Sequence, residues 1–168
     1  MKKLITSMVV AIALCTAVNV HALSQEEQAV VQKAANEYLS TVPDNGYHLS
    51  AEAVLERIKS GKKDFVLVDV RMPKDKKYAQ GHVPGAIYIG FRELLKPENI
   101  AKLPKDMDII VYCDTGHEQN KALSALRLLG YRAYDMKWGF SSWKVAGPTA
   151  LTLGAIEGSI SGNYPIEK

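Results

Sequence analysis

Apolar residues along this chain fall into two alternating rhythms. Four short, mostly apolar runs stand out: Phe65-Val66-Leu67-Val68, Ala86-Ile87-Tyr88-Ile89, Ile109-Ile110-Val111-Tyr112 and Ala133-Tyr134-Asp135-Met136. Short runs of this kind are how strands buried on both faces of a parallel sheet read. Between them the apolar positions return every three or four residues, the spacing of a helix face. Ser24-Gln25-Glu26-Glu27 is a capping box that opens an amphipathic helix to about residue 39. Ser50 caps a second helix, with Val54, Leu55 and Ile58 on one face and Gly61 at its end. Helical turns are expected at 91–95, 99–103 and 141–143, and a longer helix at 121–129, stopped by Gly130. Strands alternating with helices predict an α/β domain of three layers, a central mostly parallel sheet flanked by helices. The N-terminal helix is an appendage, set off by the turn chemistry of Pro43-Asp44-Asn45-Gly46.

The ends of the chain change this picture. Lys2 and Lys3 precede a largely apolar stretch that finishes at Val20-His21-Ala22, the pattern of a secretory signal peptide cut after Ala22. The division expected is therefore 1–22 signal peptide, 23–47 N-terminal helix and linker, 48–146 folded domain and 147–168 a Gly-containing tail. An exported protein, in a bacterial periplasm, with no stable membrane span after cleavage, is the corresponding destination. Losing Lys2 and Lys3 nearly balances the 21 basic residues against the 18 acidic ones. Nothing in that balance suggests nucleic acid. The lysines at 74, 76 and 77 read as a solvated loop.

Cysteine content is sharper. Of the two cysteines, Cys15 lies in the signal peptide, so Cys113 is left alone. An exported chain without a partner thiol does not use its cysteine as a staple. Cys113 stands where a strand stops and a polar, glycine-containing loop, Asp114-Thr115-Gly116-His117-Glu118-Gln119, leads into a helix. Amides at a helix N-terminus and the positive end of its dipole attract an anion, and a thiol placed there is expected to be stabilised as thiolate. The bland alternative is a buried, inert cysteine.

Four segments, in order, resemble the rhodanese family: Leu67-Val68-Asp69-Val70-Arg71, Gly81-His82-Val83-Pro84-Gly85-Ala86-Ile87, Val111-Tyr112-Cys113 with Thr115-Gly116, and Trp138-Gly139-Phe140-Ser141-Ser142-Trp143. The resemblance implies a sulfurtransferase acting through a persulfide on Cys113. The amides from Asp114, Thr115, Gly116, His117, Glu118 and Gln119 would surround the sulfur and its substrate. Asp69, Arg71 and Trp138 would support the site, the first two structurally, the indole by lining the pocket. Donor and acceptor would be a small sulfur-containing anion or persulfide and a thiol or cyanide, with a protein acceptor also open, and no cofactor or metal is implied. This chain departs from the commonest family loop, which has arginine sixth and serine or threonine seventh; here those are Glu118 and Gln119. Carboxylates there raise a thiol pKa and repel a dianion such as thiosulfate. Lys121, Lys137, Arg92 and Arg71 are the candidates for restoring positive potential. A rhodanese-like binding or sulfur-sensing module, catalytically weak, is the rival reading. A cysteine phosphatase is disfavoured, because the arginine it needs at position 119 is glutamine.

Overall fold

The computed structural model describes residues 23–144, with Gly154 and Glu157. The signal peptide read at 1–22 and the tail at 147–168, those two positions apart, lie outside the described residues. Five strands form one sheet: β1 (His48–Leu49), β2 (Phe65–Asp69), β3 (Ile87–Tyr88), β4 (Asp108–Tyr112) and β5 (Arg132–Met136), in the order β1-β5-β4-β2-β3. Every pairing is parallel, so the sheet is wholly parallel rather than mostly so. All five carboxyl ends therefore open on one edge, and β4, in the middle, delivers Cys113 there.

Side-chain alternation along β4 builds the two cores. Ile109 and Val111 face one side, with Val68 and Val70, under the helix α4 (His117–Leu128), which contributes Ala122, Leu123 and Leu126. Ile110 and Tyr112 face the other, with Leu67 and Met136, under α2 (Ala51–Lys59) through Val54 and under α5 (Phe140–Trp143) through Phe140. Both faces are thus covered, which is why the strand runs carry so little polar alternation. A 3-10 turn (Phe91–Glu93) and the short α3 (Pro97–Ile100) close the first core beside Leu94 and Leu103.

The predicted elements all exist, with three differences. The two-residue β1 is too short to leave an apolar run in the sequence; its pairing, His48 opposite Asp135, carries it. The third strand shrinks to Ile87–Tyr88 behind the turn at Pro84-Gly85. The helix expected at 121–129 begins at His117, because its first turn faces the loop and carries no apolar periodicity.

The capping box at the start of α1 (Gln25–Ser40) is formed, Glu27 N–H donating to Ser24 Oγ at 3.2 Å and Ser24 N–H to Glu27 Oε2 at 2.8 Å. That helix buries no residue; it touches the domain through Tyr38, whose hydroxyl meets Ser124 Oγ at 3.4 Å and whose ring stacks on Tyr47.

Where β2 ends, Asp69 and Arg71 form a buried knot. The Arg71 guanidinium donates to both oxygens of Asp69, at 3.0 and 3.1 Å through Nε and 2.6 Å through Nη2, and reaches the Gly81 carbonyl at 2.7 Å. The Tyr112 hydroxyl donates to Asp69 Oδ2 at 2.8 Å and accepts from Val83 N–H at 3.1 Å. Burial beside that carboxylate holds the Tyr112 phenol far up, so it stays a neutral donor. One carboxylate thus ties the end of β2, the end of β4 and the turn at 81–83 together at the edge of the sheet. Asp69→Ala leaves Arg71 buried and unpaired and is expected to cost about 3–5 kcal/mol. Tyr112→Phe is expected to cost about 1 kcal/mol. Urea unfolding measures both, and an unchanged Asp69→Ala midpoint would mean that the knot adds no stability.

Candidate functional site

Cys113 follows the last residue of β4 and is 2% exposed. Its carbonyl accepts Phe140 N–H at 2.7 Å, and the Asp114 carbonyl accepts Ser141 N–H at 2.9 Å. Those bonds require α5 to press against the loop, and Gly139 permits it: a Cβ there would stand 2.5 Å from the Cys113 carbonyl oxygen, at φ 58°. Glycine is the residue that accepts both demands.

On the other side Cys113 N–H donates to Gln119 Oε1 at 2.8 Å, and Gln119 Nε2 donates to the Met136 carbonyl. The Gln119 side chain is buried and satisfied within the fold, so it braces the loop, and only its backbone amide is left for the sulfur. Gly116, at the N-cap of α4 with φ 117°, turns the loop back, and its N–H lies 3.2 Å from Cys113 Sγ. Thr115 Oγ1 and His117 Nδ1 meet at 3.1 Å, which ties the exposed imidazole to the loop.

The expected thiolate stabilisation is only partly realised. Amides of Gln119, Gly116 and Thr115 pull the Cys113 pKa down, but burial outweighs them and Glu118 adds to it, so the net shift is upward. Asp114 does not act alone: Lys77 Nζ reaches its two oxygens at 3.1 and 3.2 Å. The reading of the 74, 76 and 77 lysines as a solvated loop therefore fails for Lys77, which is half-buried against the site. The sequence held no sign of this, because the two residues are 37 positions apart.

Two cavities flank the loop. The larger, about 430 Å³, is lined by Arg71, Lys76, Lys77, His82, Lys144 and Asp114 among others. The smaller, about 300 Å³, is lined by His48, Gly116, His117, Asp135, Lys137 and Trp138 among others. Arg71 and Lys137 thus stand at the site, whereas Lys121 and Arg92 line neither cavity. Trp138 lines the smaller cavity, with 60% of its surface exposed. His48 was missed: it sits on the short edge strand, 65 positions before Cys113, and bonds Asp135 at 2.6 Å through Nδ1. Among the described residues no cluster of three His, Cys, Asp or Glu side chains converges as a metal site requires. No described helix is long and apolar enough to cross a membrane.

A family model described as Rhodanese-like domain matches residues 50–146. A protein named Sulfurtransferase from Allochromatium vinosum is 30% identical over 96 residues, 56% of this chain and 85% of that one. Thiosulfate sulfurtransferase PspE of Escherichia coli is 36% identical over 64 residues, 38% of this chain and 60% of that one. The crystal structure of a rhodanese-like domain protein from Staphylococcus aureus superposes with a TM-score of 0.52 at 23% identity, over 60% of this chain and 93% of that one, a likeness of fold.

If Glu118 raises the Cys113 pKa, Glu118→Gln should move the alkylation of Cys113 by iodoacetamide to lower pH. The rate followed from pH 6 to 10 (about the range over which a protein thiol titrates) tests this. A midpoint that stays or rises would show the carboxylate pointing away from the sulfur.

Proposed function

We propose that this chain, which belongs to the rhodanese-like domain family, is an exported sulfurtransferase that moves a sulfane sulfur from a donor such as thiosulfate to a thiophilic acceptor through a persulfide on Cys113. The observation that carries this reading is the Gly116 N–H at 3.2 Å from Cys113 Sγ, at the mouth of a loop whose Cys113, Asp114 and Gly116 carbonyls are bonded elsewhere. In the first step the Cys113 thiolate attacks the outer sulfur of thiosulfate. The S–S bond of the donor breaks, sulfite leaves with its electron pair, and Cys113 keeps the extra sulfur. In the second step the acceptor attacks that outer sulfur and Cys113 leaves as thiolate, so the chemistry is covalent catalysis in two displacements. The Gly116 N–H, with the amides of Thr115 and Gln119, would hold the anionic sulfur in both, as an oxyanion hole holds oxygen.

Charge decides how well thiosulfate is served. The neutralisation of Asp114 by Lys77 removes one of the two repelling carboxylates, and the basic lining of the larger cavity offers an anion a route in. Glu118 remains, and so does the raised thiol pKa, which keeps the thiolate scarce near neutral pH. That same observation favours the second reading, a sulfur-sensing module in which Cys113 loads slowly and discharges only to a chosen partner.

Intact mass after brief exposure to thiosulfate separates the two. The enzyme reading expects one added sulfur on the wild type, none on Cys113→Ser, and loss of the adduct within seconds of adding cyanide. An adduct that forms and then persists in cyanide favours the sensor; no adduct from thiosulfate or polysulfide defeats both. Glu118→Arg should raise the loading rate by about tenfold, through recovery of roughly 1.4 kcal/mol of charge repulsion. A fall in that rate would mean that Glu118 assists loading.

A further inference from the structure

The two displacements leave Asp135 unused. It stands on β5, wholly buried, where an apolar side chain would fill the core at less cost. Its Oδ1 is taken by His48 Nδ1 at 2.6 Å, and its Oδ2 is buried without a hydrogen-bond partner. The neighbouring side chain has the opposite need. Gln119 is buried too, and its Nε2 carries two hydrogens but donates, among the described residues, only to the Met136 carbonyl. Burial pushes the Asp135 carboxyl up on balance, against the opposing pull of His48 and of the Gln119 side chain beside it. A buried acceptor and a buried donor hydrogen, each left over, thus belong to adjacent side chains.

His48 is brought there under strain. β1 is two residues long and is reached through Gly46 and Tyr47, both left-handed, at φ 64° and 63°. That conformation is uncommon for tyrosine and persists only where the surroundings enforce it. Backbone bonds from β5 do so: Asp135 N–H donates to the Tyr47 carbonyl at 3.2 Å, and Lys137 N–H to the Leu49 carbonyl at 2.8 Å. They set His48 opposite Asp135 in register. The Gly46 backbone packs against the imidazole, since a Cβ at position 46 would stand 2.7 Å from Nε2.

We propose that Asp135 and His48 are positioning residues for Cys113, acting through Gln119. His48 holds one carboxylate oxygen, which aims the other at the second Gln119 Nε2 hydrogen. So fixed, Gln119 keeps its Oε1 on Cys113 N–H, at 2.8 Å. The backbone amide of the same residue opposes the burial that raises the thiol's pKa, together with those of Gly116 and Thr115. The clamp therefore sets how Cys113 and the first turn of α4 stand to each other, and with that the reach of those amides to Sγ. Its role in sulfur transfer rests on the sulfurtransferase reading; the clamp itself does not.

Alkylation of Cys113 by iodoacetamide, followed against pH in the full chain, reads the clamp without any sulfur donor. His48→Ala and Asp135→Asn should each move the midpoint up by about half a pH unit, roughly threefold less thiolate near neutral pH, within the worth of one hydrogen bond. His48→Asn, whose amide nitrogen can stand where Nδ1 does, should return it to the wild-type value. On a Gln119→Ala background His48→Ala should shift nothing further, the clamp being already open. Midpoints that stay put while urea unfolds the variants more easily would make the pair a structural tie and overturn the proposal. So would a lower midpoint in Asp135→Asn, the sign of a bare charge acting on the thiol. The proposal also falls if His48→Asn behaves as His48→Ala, or if His48→Ala still shifts the midpoint without Gln119. His48 is partly exposed, so its variants decide the matter even where Asp135→Asn does not fold. A wild type that gains sulfur from no donor would end the sulfurtransferase reading and leave the clamp standing.

Discussion

Two backbone hydrogen bonds govern this site. Phe140 N–H on the Cys113 carbonyl and Ser141 N–H on the Asp114 carbonyl fix the direction in which the loop's peptide groups point. A loop of six residues has amides and carbonyls in equal number, and left alone it offers an anion both. Satisfying the first two carbonyls from α5 leaves the amides as the groups that face the sulfur. This arrangement depends on Gly139, because any side chain there meets the Cys113 carbonyl. It depends equally on Gln119, which ties the Cys113 amide to the Met136 carbonyl and so joins loop, α4 and β5 into one rigid unit. The geometry of the sulfur cradle is thus decided by residues that never touch the sulfur through their side chains.

The fold was legible because its strands are buried on both faces. Phe65-Val66-Leu67-Val68 and Ile109-Ile110-Val111-Tyr112 are apolar throughout, and only a covered parallel sheet makes such runs stable. Cys113 was legible for a related reason: a lone thiol after such a run has a central carboxyl end for its address. What stayed hidden is whatever depends on long-range pairing. The Lys77–Asp114 contact and the His48–Asp135 contact join residues 37 and 87 positions apart, and neither partner shows a local pattern that announces the other. The start of α4 was hidden by chemistry. Its first turn has His117 exposed, Glu118 half-buried and Gln119 buried through hydrogen bonds, so the periodic signal begins only at Ala122.

Cys113 is where two physical demands oppose each other. A thiolate is favoured by amides and a helix N-terminus, and those are present. It is disfavoured by loss of water and by a neighbouring carboxylate, and those prevail. The balance follows from the strand: Cys113 leaves the centre of a five-stranded sheet within the core under α4, and the loop closes over it. Exposure would lower the pKa but would also open the sulfur to passing thiols and oxidants. On the proposed chemistry, a raised pKa in a closed loop suits a sulfur held between donor and acceptor.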